Sequence, residues 1–187
     1  MKTKLLGLMA LVTLLGMSQA GAETLVGTTT DATGIDGLVV GSLTYNVTFE
    51  NASYDTVYPS APTFLGNSSG AEDAASAIES ALNSLGVTAL TGISGDFQVV
   101  EVPYDVSATS ATSSSAYCND VPCPAGSWSG LGTSGGGDLT DVYTGYYYTT
   151  FLIAASSPLP AALPLFATGL GALGLLGWRR KRKALAA

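Results

Sequence analysis

The most telling absence in the sequence is that of positive charge between its two ends. The chain has no histidine, and none of its seven lysines and arginines lies between Leu5 and Leu176. All fourteen acidic residues lie between Glu23 and Asp141, so this central part carries fourteen negative charges and no positive one. It cannot form an internal salt bridge. Its surface repels nucleic acid and anionic polymers. The acidity is compatible with binding of neutral sugars or Ca²⁺, or it serves only to keep the protein soluble.

The same absence excludes several classes of enzyme. A chain without histidine has no Ser-His-Asp triad, no Cys-His pair and no His-ligated zinc. A body without lysine or arginine forms no Schiff base and offers no cationic clamp for phosphate. Paired carboxylates leave glycoside hydrolysis open, but the spacing of Glu50, Glu72, Glu79 and Glu101 pairs no two of them. We therefore predict a non-enzymatic body with no catalytic residue, cofactor site or metal site.

Long apolar runs are confined to the two ends of the sequence. Near the start, two lysines precede an apolar run from Leu5 to Met17 that is too short to cross a membrane. Ala20 and Ala22 then form an A-x-A cleavage site. This order predicts that residues 1–22 are a signal peptide, cut after Ala22 or alternatively after Ala20. An uncleaved N-terminal anchor is the other interpretation.

The second apolar run, 161–178, is 18 residues long and uncharged. As a helix it is about 27 Å long, close to the roughly 30 Å hydrocarbon core of a bilayer. Cations at its end hold that end in the cytoplasm, which predicts a transmembrane helix of type I orientation. The span is either an ordinary membrane anchor or part of a signal that is cut. The cations that follow it are Arg179, Arg180, Lys181, Arg182 and Lys183.

A short motif directly before the span favours the signal. The motif is Pro158-Leu159-Pro160-Ala161, followed by Leu163-Pro164-Leu165, a Gly/Leu-rich span and Gly177-Trp178 before the cations. From 158 to 183 the chain resembles the VPLPA-CTERM sorting domain, a relative of the PEP-CTERM signals of Gram-negative bacteria. The leading Val of that family is Ser157 here.

The resemblance implies a route and a partner. It implies export across the inner membrane and handling by an exosortase, a membrane-embedded cysteine transpeptidase. The precursor is then expected in the inner membrane and the released body in the cell envelope or the extracellular matrix, often with extracellular polysaccharide.

The two cysteines of the chain, Cys118 and Cys123, are predicted to form a disulfide. An even, closely spaced pair in an exported protein is typical of one. The enclosed loop is short, so the entropic model gives roughly 2 kcal/mol of stabilisation. The bond is expected to fix a local loop.

The body, residues 23–157, is long enough for one domain, and its pattern predicts a small α+β fold, mostly antiparallel sheet with one packed helix. The helix is predicted over about 69–85, from an apolar stripe at helical spacing, a capping box of Ser69 and Glu72, and a stop at Gly86. Strand patterns occupy Leu25–Tyr58, with turns at Asp36–Gly37 and Glu50–Asn51, then Phe97–Val106, with an edge or bulge at Pro103, and finally Tyr143–Ala155.

The rest of the body is predicted to be loop. Ser107–Ser115 is interpreted as a linker or loose hairpin and Trp128–Gly137 as a Gly-rich loop. The G-x-G-x-x-G match at Gly130–Gly135 lacks the strand-to-helix context of a dinucleotide site. Tyr146-Tyr147-Tyr148 alternates, with Tyr146 and Tyr148 on one face of a strand. This pattern fits either a sugar-stacking patch or a half-buried edge strand.

Three functions remain, in order of preference. The first is a non-enzymatic surface or matrix component sorted by its C-terminal signal. The second is a carbohydrate-binding module acting on extracellular polysaccharide. The third is a carboxylate hydrolase, which a loss of turnover in Glu50→Gln or Glu101→Gln would reveal. Extracellular polysaccharide and Ca²⁺ are the candidate ligands, and nucleic acid is not.

Overall fold

The computed structural model describes residues 22–92 and 96–154, without the side chains of 131 and 134–137. The described residues form a seven-stranded sheet in the order β1-β2-β3-β7-β4-β5-β6. Neighbouring strands are antiparallel except β7 and β4, which run parallel. The predicted class, a mostly antiparallel sheet with one main helix, is confirmed. The elements are β1 Thr24–Thr28, β2 Asp31–Val40, β3 Leu43–Glu50, α1 Tyr54–Val57, α2 Ser68–Ser84, β4 Gln98–Val106, β5 Ser110–Cys118, β6 Ser129–Asp138 and β7 Tyr146–Ile153.

The predicted terminal segments lie outside the described residues. These are the signal peptide as far as position 21, including Ala20, the sorting motif, the span 161–178 and the basic block. The chain divides into two units after Ala154. Within the described ranges, no helix is long and apolar enough to cross a membrane.

Helix α2 covers one face of the sheet, as its apolar stripe predicts. Small side chains at its inner positions let it approach the strands closely, and Gly86, with φ of +67°, ends it. Core residues from β2, β3, β4 and β7 pack beneath it. The shared core includes Ala71, Ala74, Ala75, Ile78, Ala81 and Leu82 of the helix, and Ile35, Leu38, Val47, Phe49, Val100, Val102 and Tyr147 of the sheet.

The predicted capping box is wrong by two positions. The N-cap of α2 is Asn67, whose side-chain oxygen accepts a hydrogen bond from the Gly70 N–H at 3.0 Å. The Ser69 hydroxyl donates to that same oxygen at 3.2 Å. Asparagine caps as well as serine does, so the Ser-x-x-Glu pattern was not decisive.

Replacing Asn67 with alanine is therefore expected to destabilise the body by about 1 kcal/mol, because an N-terminal N–H of α2 loses its partner. Urea unfolding followed by circular dichroism measures the change. Ser69→Ala is the matched control and is expected to have a smaller effect, since Ser69 only supports Asn67. A larger loss in Ser69→Ala than in Asn67→Ala would contradict the assignment of the cap.

Two predicted turns between strands are corrected by the sheet. The predicted turn at Asp36–Gly37 is a bulge inside β2, where the register shifts between Ile35 and Leu38 and Gly37 has φ of +80°. An Asp-Gly pair serves a bulge as well as a turn, since both need a residue with positive φ. β3 does end at the predicted Glu50, but α1 follows it rather than another strand.

The serine-rich and glycine-rich segments are strands rather than a linker and a loop. β5 and β6 pair with each other, and β5 also pairs with β4, so the hairpin alternative for the serine-rich segment is the correct one. Pairing satisfies backbone groups whatever the side chains are, which is why a polar or glycine-rich run can lie in a sheet. Pro103 marks a bulge in β4, as predicted, where the register shifts between Pro103 and Asp105.

The sheet opens between its two central strands. β7 pairs with β4 only over Tyr146–Tyr148. Beyond that point the Thr149 carbonyl accepts a hydrogen bond from the Tyr58 hydroxyl, and the Tyr104 carbonyl accepts one from the Gly66 N–H at 2.7 Å. The segment between α1 and α2 thus supplies hydrogen bonds to β7 and β4 where these two strands no longer pair with each other.

The predicted disulfide between Cys118 and Cys123 is present. It closes the loop that follows β5, and the Cys123 N–H donates to the Thr88 carbonyl at 2.7 Å. The side chain of Gln98, fully buried beside it, accepts from the Leu90 N–H at 2.7 Å. The loop is therefore tied to the connection between α2 and β4.

Candidate functional site

The three consecutive tyrosines of β7 alternate as predicted, but β7 is a central strand and not an edge strand. Tyr147 points into the core under α2. Tyr148 points to the opposite face, where it packs edge-on against Tyr54 at 5.6 Å and Tyr58 at 6.0 Å between ring centroids. Because Tyr148 is only 5% exposed, it cannot stack on a sugar, and the sugar-stacking alternative for Tyr146 and Tyr148 together is not realised.

Two of the four glutamates considered for carboxylate chemistry lie in one row with Tyr148. Glu50 is opposite Tyr148 on one side and Glu101 is opposite it on the other. Their Cα atoms are about 10 Å apart, twice the spacing of neighbouring strands. The buried ring of Tyr148 lies between them, and Glu101 is itself buried. The row has no room for a sugar ring between its carboxylates, so it does not form an accessible acid–base pair.

Two tyrosines at this row have raised pKa values: Tyr148 within the row and Tyr58, which packs against Tyr148. Burial raises the pKa of Tyr148, and the negative charge of Glu101 raises it further. Burial also raises the pKa of Tyr58 far above its ordinary value of 10, although the hydrogen bond to Thr149 acts in the opposite direction. Both phenols therefore stay neutral in the folded body where free tyrosines ionise.

Alkaline pH is expected to destabilise the body through these phenols. Tyr58 ionises near pH 10 when unfolded and only at higher pH when folded, so its contribution is complete below pH 10 and declines above it. The free energy of unfolding falls by about 1.4 kcal/mol per pH unit for each such group. Urea unfolding from about pH 9 to about pH 11 measures this slope.

Tyr58→Phe separates this effect from general alkaline damage. It removes one titrating group, so the decline above pH 10 is expected to become shallower by about 1.4 kcal/mol per pH unit. At neutral pH the variant is expected to be less stable by about 1 kcal/mol, because the Thr149 carbonyl loses a donor. An unchanged slope would show that Tyr58 titrates normally in the folded body.

An accessible aromatic surface lies at the start of β7, and we call Phe97, Tyr143 and Tyr146 the aromatic surface. The ring of Tyr146 packs edge-on against Phe97 at 5.5 Å and against Tyr143 at 5.9 Å. Phe97 and Tyr143 remain 37% and 39% exposed. Exposed aromatic side chains that cluster, rather than occur singly, are typical of interaction surfaces.

Local hydrogen bonds and one glycine hold the aromatic surface in place. The Asn51 amide donates to the carbonyls of Tyr143 at 3.1 Å and Tyr146 at 2.7 Å. Gly145 has φ of +82°, and a Cβ there would lie 2.6 Å from the Phe97 carbonyl oxygen. Only glycine fits this position, so the close approach of Phe97 to Tyr146 depends on it.

The hydroxyl of Tyr143 is also fixed. It accepts a hydrogen bond from the Asp138 N–H at 3.1 Å. The Asp138 carboxylate accepts bonds from the N–H and hydroxyl of Thr140, which lower its pKa. A negative charge therefore lies beside the aromatic surface at neutral pH. The sequence alone indicated only Tyr146, because Phe97 and Tyr143 join it through the fold.

The other two of these glutamates, Glu72 and Glu79, lie at or beside a small cleft. The cleft, of about 70 Å³, lies between α2 and strands β5 and β6, and Glu72 and Ser76 line its helix side. Ser114 and Ser115 line its sheet side, and their buried hydroxyls have no hydrogen-bond partner among the described residues. Glu79, about one helical turn after Ser76, lies beside Gly130. Across the described ranges, no three acidic or cysteine side chains cluster as metal ligands would.

Comparison with known proteins adds no relative. No family model, curated protein or solved structure matches the chain. The function is therefore inferred from the residues of this chain.

Proposed function

We propose that the chain is the precursor of an exported, non-enzymatic surface or matrix protein, sorted through its C-terminal signal. The observation that carries this proposal is the order of Pro158–Ala161, the uncharged span and five cations. The complete separation of charge along the chain supports it, because every lysine and arginine belongs to one of the two terminal signals. An exosortase-type enzyme and the inner membrane are the proposed partners.

Protease treatment of spheroplasts tests the export step. The body is expected to be digested from outside, while an epitope placed after Ala187 stays protected until the membrane is opened. Protection of the body as well would place it in the cytoplasm and contradict the proposal. If the epitope is digested from outside together with the body, the proposed orientation of the span is wrong.

The aromatic surface favours carbohydrate binding as a second candidate function. Exposed aromatic rings stack on the apolar faces of sugars, and Asn51 and Asp138 supply polar groups close by. The fourteen acids and the absence of body cations oppose anionic polymers. A neutral polysaccharide is therefore the ligand class that fits this surface.

Tyr143→Ala and Phe97→Ala are each expected to weaken binding to a neutral polysaccharide by about 1 kcal/mol, or about fivefold in Kd. Val142→Ala is the matched control, since Val142 is 57% exposed beside Tyr143 and has no ring. Affinity electrophoresis in hydroxyethylcellulose and in alginate compares a neutral with an anionic polymer. Equal retardation of the wild type and both ring variants, or tighter binding to alginate, would refute this function.

A further inference from the structure

One end of the sheet exposes apolar side chains that no other described element covers. They are Val39 of β2, Leu43 of β3, and Leu152 and Ile153 of β7, and we call them the apolar rim. Leu152 and Ile153 are 69% and 67% exposed. Val39 and Leu152 lie on one face and Leu43 and Ile153 on the other, so the rim wraps the end of three adjacent strands.

The strands that carry the apolar rim differ from the rest of the body in charge. The stretches 38–49 and 142–154 contain no acidic residue, although the body as a whole has fourteen. Leu152 and Ile153 are the most exposed large apolar side chains among the described residues, and such a group at a charge-free end is a candidate interaction surface. An acid-free surface is also the part of this body that an anionic membrane repels least.

The chain directly after the rim limits what can cover it. β7 is held to its end, because the Ala154 N–H donates to the Thr44 carbonyl at 2.8 Å. Three residues separate Ala154 from Pro158, and the predicted span begins at Ala161. Seven residues reach at most about 25 Å, and the prolines restrict them further. The end of β7 is therefore never far from the bilayer while the span is inserted.

We propose that the apolar rim lies on the outer surface of the bilayer in the membrane-held precursor. The inference rests on the proposed function, since it needs the span to be inserted. Contact with lipid removes Leu152 and Ile153 from water. It also holds the end of β7 close to the sorting motif, which the inserted span itself places at the membrane surface, where a membrane-embedded enzyme acts. The rim is thus a positioning surface for processing, separate from the aromatic surface.

Lipid-based quenching tests this proposal in the full-length chain. Leu152→Cys and the matched control Val142→Cys each receive an environment-sensitive fluorophore, with the native disulfide left intact. Each protein is placed in phosphatidylcholine vesicles with and without headgroup nitroxide lipid. The label at 152 is expected to lose fluorescence in nitroxide vesicles and the label at 142 to keep it. Equal fluorescence of the two labels would overturn the proposal.

A longer linker tests whether the apolar rim binds lipid by itself or is only held near the bilayer by its short connection to the span. About twelve Gly and Ser residues after Ser157 give a flexible linker. Continued quenching at 152 supports the rim as a lipid contact, and quenching reduced to the level of 142 overturns it. Self-quenching at 152 that falls on dilution into excess vesicles would show that a second copy covers the rim instead.

Alkaline extraction followed by flotation of the vesicles distinguishes failure of the rim from failure of the anchor. A protein that floats after extraction but shows no quenching at 152 has an inserted span and no rim contact. A protein that is extracted has no inserted span, which overturns the proposed anchoring together with this inference.

Discussion

Trp128→Ala is expected to destabilise the body by about 3–5 kcal/mol, the usual cost of removing a buried tryptophan. Trp128 is 2% exposed and belongs to the main core. Its indole N–H donates to the Val87 carbonyl at 2.8 Å, and its backbone N–H and carbonyl bond to the Asn83 side chain at 3.0 and 2.8 Å. One residue thus joins the end of α2 to the start of β6.

The expected loss is large relative to the whole stability of a domain, which is about 5–15 kcal/mol. Thermal unfolding followed by circular dichroism is therefore expected to show a strongly lowered midpoint. Trp128→Phe is the matched variant, because it keeps an aromatic ring but leaves the buried Val87 carbonyl without its donor. It is expected to lose about 1–3 kcal/mol. An unchanged midpoint in Trp128→Ala would mean that the packing around α2 is described wrongly.

Replacing Pro158, Leu159 and Pro160 together with glycine is expected to abolish processing in the native host. The span and the basic block are unchanged in this variant, so the precursor is expected to insert and to accumulate in the membrane. Immunoblotting of membrane and culture fractions against the body measures the outcome. The change expected is from a mostly processed body to none.

Ser157→Val provides the matched control for the motif. It restores the leading residue of the family that the tail resembles, and it is expected to be processed at least as well as the wild type. If the glycine variant is still processed, the motif is not the recognition element. Loss of processing in Ser157→Val would show that the resemblance misleads at this position.

The parts of the fold that sequence could predict are those set by local patterns. The stripe from Ala74 to Leu85, with the Ser-x-x-Glu pattern at Ser69 and the stop at Gly86, predicted α2 within one residue at each end. The cap was missed because Asn67 and Ser69 are equally suitable by type. β5 and β6 were missed because backbone pairing, and not apolar alternation, places them in the sheet.

The order of the strands depends on pairings between distant residues. β7 is the last strand in sequence, yet it lies between β3 and β4. No local pattern in Tyr146–Ile153 predicts this position in the sheet, although apolar residues on both faces of the strand are typical of a buried strand.

The candidate site shows the same division. Alternation along the strand correctly predicted that Tyr147 lies on the face opposite to Tyr146 and Tyr148. That Tyr148 is covered by α1, and that Phe97 and Tyr143 join Tyr146, follows only from contacts across the fold. The row of Glu50, Tyr148 and Glu101 comes from the register of three strands, which spacing along the chain does not reveal.

We propose above that an exported body is released from a C-terminal sorting signal. Intact mass measurement of the protein from membrane and culture fractions of the native host tests it most directly. We expect a mature form that starts near Glu23, ends near Pro158–Ala161, lacks the span and contains one disulfide. A membrane form that keeps Arg179–Ala187, with no shorter form in either fraction, would contradict cleavage and leave a type I anchored surface domain.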